Sequence, residues 1–104
     1  MYNRQLQLAT LVDGKSVETV EGLATDGELS AEQQAFIETG GFQCGYCTPG
    51  MIMLARALID RDPAPSRAGL RNWMGANICR CTGYEMIIEA VEKAAALQQE
   101  ACNE

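Results

Sequence analysis

Two cysteine pairs constrain this chain more than any other feature: Cys44-Gly45-Tyr46-Cys47, then residues 48 to 78, then Cys79-Arg80-Cys81. Each pair runs into a threonine that can open a helix, Thr48 before Pro49 and Thr82 three residues before Glu85. Four thiols from two loops can enclose one metal centre if the helices beyond them pack side by side. Helix N-termini supply free N–H groups and partial positive charge, so they suit thiolates and an anionic cluster. Histidine is absent altogether. That removes Rieske centres, Cys₂His₂ zinc sites and His-assisted cysteine proteases.

Several chemistries use four cysteines. A [2Fe–2S] cluster and a structural Cys₄ zinc site take the same ligands, although zinc sites favour wider spacing than the C-x-C pair. Two disulfides would need an oxidising compartment, and no basic-then-apolar leader with a small-residue cleavage site is visible at the N-terminus. A thioredoxin-like pair at Cys44/Cys47 would need a βαβ setting that the pattern lacks. Plant-type ferredoxin spacing would need a cysteine five positions before Cys44, where Thr39 stands. The iron–sulfur cluster leads, and a zinc-stapled structural or interaction module is the alternative from another class.

The rest of the chain reads as mostly helical. Residues 1–29 are expected to form a short β-hairpin and linker, with a strand from Leu6 to Val12, a turn at Asp13-Gly14 and a return over residues 16–20. A lone hairpin is marginal in water and should lean on something else. Residues 30–97 form the helical part. Ser30 and Gln33 fit a capping box, Phe36 and Ile37 supply an apolar face, and Gly40-Gly41 stops that helix. Thr48 is expected to cap the next helix, whose Met51, Ile52, Leu54, Ala55, Leu58 and Ile59 make it the central one.

After Asp62-Pro63-Ala64-Pro65, Ser66 caps a short helix carrying Leu70, Trp73 and Met74. Thr82 and Glu85 suggest a second capping box, and the last helix lines up Tyr84, Ile87, Ile88, Val91 and Ala95. Glu85, Glu89 and Glu92 fall on its outer, solvated face. The order of short helix, glycine turn, cysteine pair, threonine and long helix thus occurs twice. Residues 98–104 form a polar tail, and Cys102 within it reads as a spare thiol. Met51, Met53, Met74 and Met86 read as core filler, and Trp73 as a helix-packing aromatic.

The net charge is −6 without any Lys/Arg cluster, which argues against nucleic acid or an anionic membrane as partner. The apolar run around Met51 to Ile59 is broken by Arg56 and is too short to span a bilayer. A soluble, cytoplasmic domain is the expectation. No paired carboxylates, nucleophile–base pair or phosphate loop can be assembled, so the chain reads as a non-catalytic component.

Residues 40–51, Gly-Gly-Phe-Gln-Cys-Gly-Tyr-Cys-Thr-Pro-Gly-Met, and 77–84, Asn-Ile-Cys-Arg-Cys-Thr-Gly-Tyr, resemble the second iron–sulfur domain of the molybdenum hydroxylases, the xanthine oxidase family. The likeness runs from about residue 3 to residue 95. It implies a four-helix, pseudo-twofold fold with one [2Fe–2S] cluster on Cys44, Cys47, Cys79 and Cys81. It further implies an electron relay from a molybdopterin centre, with Gln43 and Cys81 facing the pterin. Molybdopterin and FAD would belong to partners: a molybdopterin-binding large subunit, and a flavin subunit or separate ferredoxin-like carrier. Family members carry a ferredoxin-like domain with a second cluster ahead of the helical one. Here only the expected hairpin of residues 5–20 matches its end, and Gln5 stands where a final cluster cysteine would be expected.

Overall fold

A computed structural model of the chain describes residues 8–103, with side chains through residue 100. Among the described residues there are four α-helices: α1 (Ala31–Thr39), α2 (Thr48–Arg61), α3 (Arg67–Met74) and α4 (Glu85–Asn103). The short–long, short–long order is the repeat expected from the sequence. Both short helices open on a serine. Ser30 accepts the Gln33 N–H at 3.3 Å while Gln33 Oε1 accepts the Ser30 N–H at 2.9 Å, and Ser66 accepts the Gly69 N–H at 3.1 Å. At its far end α1 closes on Gly40, whose φ of +67° is the left-handed conformation a glycine adopts without strain.

The core lies among the four helices. In α2, Met51, Leu54, Ala55, Leu58 and Ile59 are buried, as expected for the central helix. Burial of each large side chain stabilises the fold by about 1.5–3 kcal/mol. From α3 come Leu70 and Met74, and from α4 Ile87, Ile88, Val91, Ala94 and Ala95. Met51 and Met74 fill the core fully, while Met53 and Met86 are only partly covered. Trp73 is half-buried, donates its indole N–H to the Leu54 carbonyl at 3.0 Å, and carries Arg61 over its ring at 5.7 Å.

Helix α1 lies more extensively against α4 than against any other element. Gly41 makes this approach possible: a Cβ there would stand 3.2 Å from Ala90 Cβ and from the Phe36 ring. Lys93 and Glu38 bridge the same pair of helices at 2.7 Å. Glu32, in the first turn of α1, is fully buried and has Arg56 of α2 at 3.7 Å as its ionic partner. Glu32 is the buried member, so removing Arg56 would leave its carboxylate buried without a charge partner, whereas removing Glu32 leaves a partly exposed guanidinium that still reaches water and Asp60.

Four local expectations are corrected. Among the described residues 8–29 there is no strand pairing beyond a single bridge between Thr25 and Glu28; Leu6 and Gln7 lie outside the described residues. The segment instead forms one-turn 3₁₀ helices at Ala9–Val12 and Val20–Leu23. The turn at Asp13-Gly14 does form, with Lys15 N–H to the Val12 carbonyl at 3.0 Å, φ −58° and ψ 129° at Asp13 and φ +76° at Gly14. Those are type II angles, which splay strands apart; hairpins need the mirror-image turns.

Ile37 is exposed, and Ala35 joins Phe36 on the buried face of α1. Glu85 and Glu92 are not simply solvated: both pair with Arg67, and Arg71 adds a 3.2 Å contact to Glu85, tying α3 to α4. Neither threonine cap forms either, because both helices start elsewhere than the pattern suggested; their geometry belongs to the site. Helix α4 itself runs on to Asn103 through the polar stretch at the C-terminus, where Gln99 donates to the Pro63 carbonyl at 3.0 Å.

Candidate metal centre

The loop Gly40–Cys47 and the loop Gly75–Tyr84 meet at one end of the bundle, and all four cysteines there are free thiols. They come together as two pairs, each with one sulfur from each loop. Cys44 and Cys81 are exposed, with sulfurs 3.6 Å apart. Cys47 and Cys79 lie beneath them, each 8% exposed and close enough for each thiol to act on the other electrostatically. The two-and-two arrangement suits a centre with two metal atoms, each taking two thiolates. Two buried polar groups nearby have no protein partner, Thr48 Oγ1 at the start of α2 and Asn77 Nδ2 in the second loop, and the Asn77 amide can donate toward an acceptor such as sulfide.

The two loops hold their sulfurs differently. Cys47 is itself the residue preceding α2, with Thr48 already helical and Pro49 in the first turn, so the first pair does sit at a helix start. Cys44 accepts the Tyr46 N–H at 3.5 Å. In the second loop α4 opens only at Glu85, because Tyr84 adopts φ +75° and its carbonyl receives the Ile88 N–H. Thr82 therefore turns back. Its Oγ1 stands 3.2 Å from Cys79 Sγ and accepts the Tyr84 N–H at 3.1 Å, while its own N–H donates to Cys79 Sγ at 3.4 Å. The Tyr84 hydroxyl accepts the Cys79 N–H at 2.9 Å.

These contacts separate the thiols chemically. Burial pushes the Cys47 thiol up to about 11, reinforced by its neighbours Cys79 and Cys44. Burial pushes Cys79 the same way, but the Thr82 hydroxyl and the N–H groups of Thr82 and Cys81 outweigh it and bring that thiol down to about 7. Cys81 is raised by sharing a hydrogen bond with the Cys44 thiol, against a donation from the Cys44 N–H.

Residues 19–92 match the [2Fe-2S] binding domain family, well over half of the chain. The chain belongs to that family. This iron–sulfur domain is 49% identical over 87 residues to the nicotinate dehydrogenase small FeS subunit of Eubacterium barkeri, covering 84% of this chain and 55% of that one. It is 43% identical over 88 residues to the xanthine dehydrogenase iron-sulfur-binding subunit of Escherichia coli O157:H7, covering 83% and 55%. Among solved structures it is similar to quinoline 2-oxidoreductase from Pseudomonas putida 86, with 44% identity, a TM-score of 0.81, and 91% and 60% of the two chains covered. The iron–sulfur domain spans about half the length of the curated relatives it matches.

Gln43, singled out in the sequence, and Arg80, which stands between two of the cysteines, are both exposed. Pattern reading missed the apolar rim around them: Phe42 is 42% exposed, Tyr46 71% and Ile78 65%. The signal was available, since large apolar residues flank both cysteine pairs in turns too tight to bury them. It also missed Thr82 and Tyr84 as cysteine-loop braces, because a capping box was the more familiar use of that spacing.

Among the described residues no helix is long and apolar enough to cross a membrane.

Proposed function

We propose that the chain is an electron-transfer component of a molybdenum-containing hydroxylase, carrying one [2Fe–2S] cluster on Cys44, Cys47, Cys79 and Cys81. The observation that carries this reading is the meeting of the two cysteine loops, with the Cys44 and Cys81 sulfurs 3.6 Å apart and Cys47 and Cys79 buried beside each other. When bound, such a cluster takes up and releases one electron at a time. The chain's own work is to hold and shield it. Cys47 and Cys79 keep one side away from water, and N–H groups directed at the sulfurs offset negative charge.

The exposed side has a different task. Cys44, Cys81 and Gln43 open to the surface within the rim of Phe42, Tyr46 and Ile78. Exposed aromatic and aliphatic groups around a redox centre suit a docking face. Its partner is a molybdopterin-binding subunit that performs the substrate chemistry, and Gln43 and Cys81 lie nearest the pterin. Onward transfer goes to a flavin subunit or a separate ferredoxin-like carrier. The relatives named as FeS subunits of nicotinate and xanthine dehydrogenases support this assembly. Four free thiols suit a reducing compartment such as the cytoplasm.

The test is the metal content of anaerobically purified chain with its visible spectrum before and after dithionite. About two irons and two sulfides per chain, bleaching on reduction, are expected from the cluster type. One zinc without colour, unchanged by attempted reconstitution with iron and sulfide, would replace this reading with the zinc-stapled module.

A further inference from the structure

We propose that Thr82 tunes the reduction potential of the cluster by donating its hydroxyl hydrogen to the Cys79 sulfur, with Tyr84 holding it in the donating position. The inference rests on the electron-transfer reading above and goes beyond it by assigning a role to residues that bind no metal. The hydroxyl has one hydrogen and two lone pairs. Tyr84 N–H occupies a lone pair of Thr82 Oγ1 at 3.1 Å, which leaves the hydrogen for Cys79 Sγ at 3.2 Å. A metal-bound thiolate has no proton to give, so the direction of that bond is set.

The geometry is held at some cost. Tyr84 sits at φ +75°, a conformation that strains a bulky residue by on the order of 1–3 kcal/mol. Three contacts keep it there: its N–H on Thr82, its hydroxyl accepting the Cys79 N–H at 2.9 Å, and its carbonyl accepting the Ile88 N–H of α4 at 2.9 Å. The strained residue thus fixes both the donor and the loop that carries the acceptor. A hydrogen bond to a ligand sulfur stabilises the reduced, more negative centre more than the oxidised one, so it raises the potential. The step it affects is the uptake of one electron from the redox partner, with no bond made or broken.

The equivalent position in the first half lacks the device. Thr48 follows Cys47 as Thr82 follows Cys81, yet its hydroxyl is buried with no hydrogen-bond partner in the protein. Thr82 is therefore the residue through which one half of a repeated motif departs electrically from the other.

The experiment compares wild type, Thr82→Val and Thr82→Ser as full-length chains loaded anaerobically with iron and sulfide. Iron and sulfide are assayed in each, and the midpoint potential is read by EPR-monitored redox titration. Thr82→Val should lower the potential by about tenfold in the reduction equilibrium, about 59 mV for a one-electron couple. Thr82→Ser should restore the wild-type value. If Thr82→Val does not load, Thr82→Ala removes the same hydroxyl with less bulk and should show the same fall. A fully loaded valine or alanine chain at the wild-type potential overturns the proposal. So does loss of the cluster from both with normal loading of Thr82→Ser, which would make the hydroxyl a determinant of assembly instead. A wild-type chain that takes up no iron and sulfide refutes the electron-transfer reading itself, a result distinguishable from either.

Discussion

Cys47 and Cys79 are equally buried, yet one thiol is pushed up to about 11 and the other brought down to about 7. Desolvation raises both. What separates them is the supply of donors: Cys79 receives a hydroxyl and N–H groups from a folded-back turn, while Cys47 has chiefly other cysteines for neighbours. The two halves of the chain share an order of elements and a threonine after each pair, but in the second half Tyr84 takes a left-handed backbone conformation and Thr82 turns back onto Cys79. Similar motif spacing therefore does not imply similar electrostatics. The hydrogen-bond donors around each sulfur decide it.

The largest effect should come from removing a sulfur. Cys47→Ser and Cys79→Ser should each bring iron content from about two per chain to near zero, because the inner pair loses a member in either case. Cys102→Ser should leave iron content and spectrum unchanged. Full, stoichiometric iron with an unaltered spectrum in either inner-pair mutant would sink the ligand assignment.

Next in size is the packing that brings the first loop to the second. Gly41→Ala should destabilise the protein by about 1–3 kcal/mol, since the new methyl meets Ala90, the Phe36 ring and the Met86 carbonyl at 3.2–3.3 Å. Chemical denaturation measures this. An unchanged midpoint would show that α1 and α4 can separate without penalty.

The thiol asymmetry predicts a pH profile for the cluster-free chain. In the fold Cys79 gives up its proton near 7 against an ordinary value of 9.0, so its contribution is complete above pH 9 and is lost as pH falls through about 7. Cys47 keeps its proton to about 11, so its contribution is complete below pH 9 and is lost as pH rises toward 11. Thermal denaturation across pH should therefore show a maximum near pH 9. Cys79→Ala should flatten the acid side of it, and Cys47→Ala the alkaline side. Identical flattening by both would break the comparison.

The smallest effect sharpens it. Thr48→Val keeps the shape of a side chain whose hydroxyl has no protein partner, so it should change stability by less than about 1 kcal/mol. It should also leave the cluster potential where it is. A shift matching that of Thr82→Val would mean that the two threonines are equivalent once the cluster is bound.

Much of this architecture was legible in the residues. Ser30, Gln33, Gly40 and Ser66 set helix ends through contacts within a few residues, so local pattern and local physics agree there. The apolar faces of α2 and α4 follow from helical periodicity, and the cysteine spacing pointed to a cluster in a domain family that the comparison also finds. Family membership and the choice of candidate ligands are matters of residue identity, and residue identity is what a sequence carries.

The failures have a common cause. The hairpin pattern of residues 6–20 is local, but a strand pair needs a turn of the right hand, and the type II turn at Asp13-Gly14 does not supply it. Thr82 and Glu85 have capping-box spacing, yet the contact of the Tyr84 hydroxyl with the Cys79 backbone goes with a later helix start that leaves Glu85 to Arg67 and Arg71. Glu32 carries no sequence signal of burial, and only the fold places it fully buried with Arg56 of α2 beside it. The sequence alone determined the helices, the repeat and the four cysteines that the loops carry. Tertiary structure alone decided which sulfurs pair, which are wet and which receive hydrogen bonds, because those depend on distances between segments far apart in the chain.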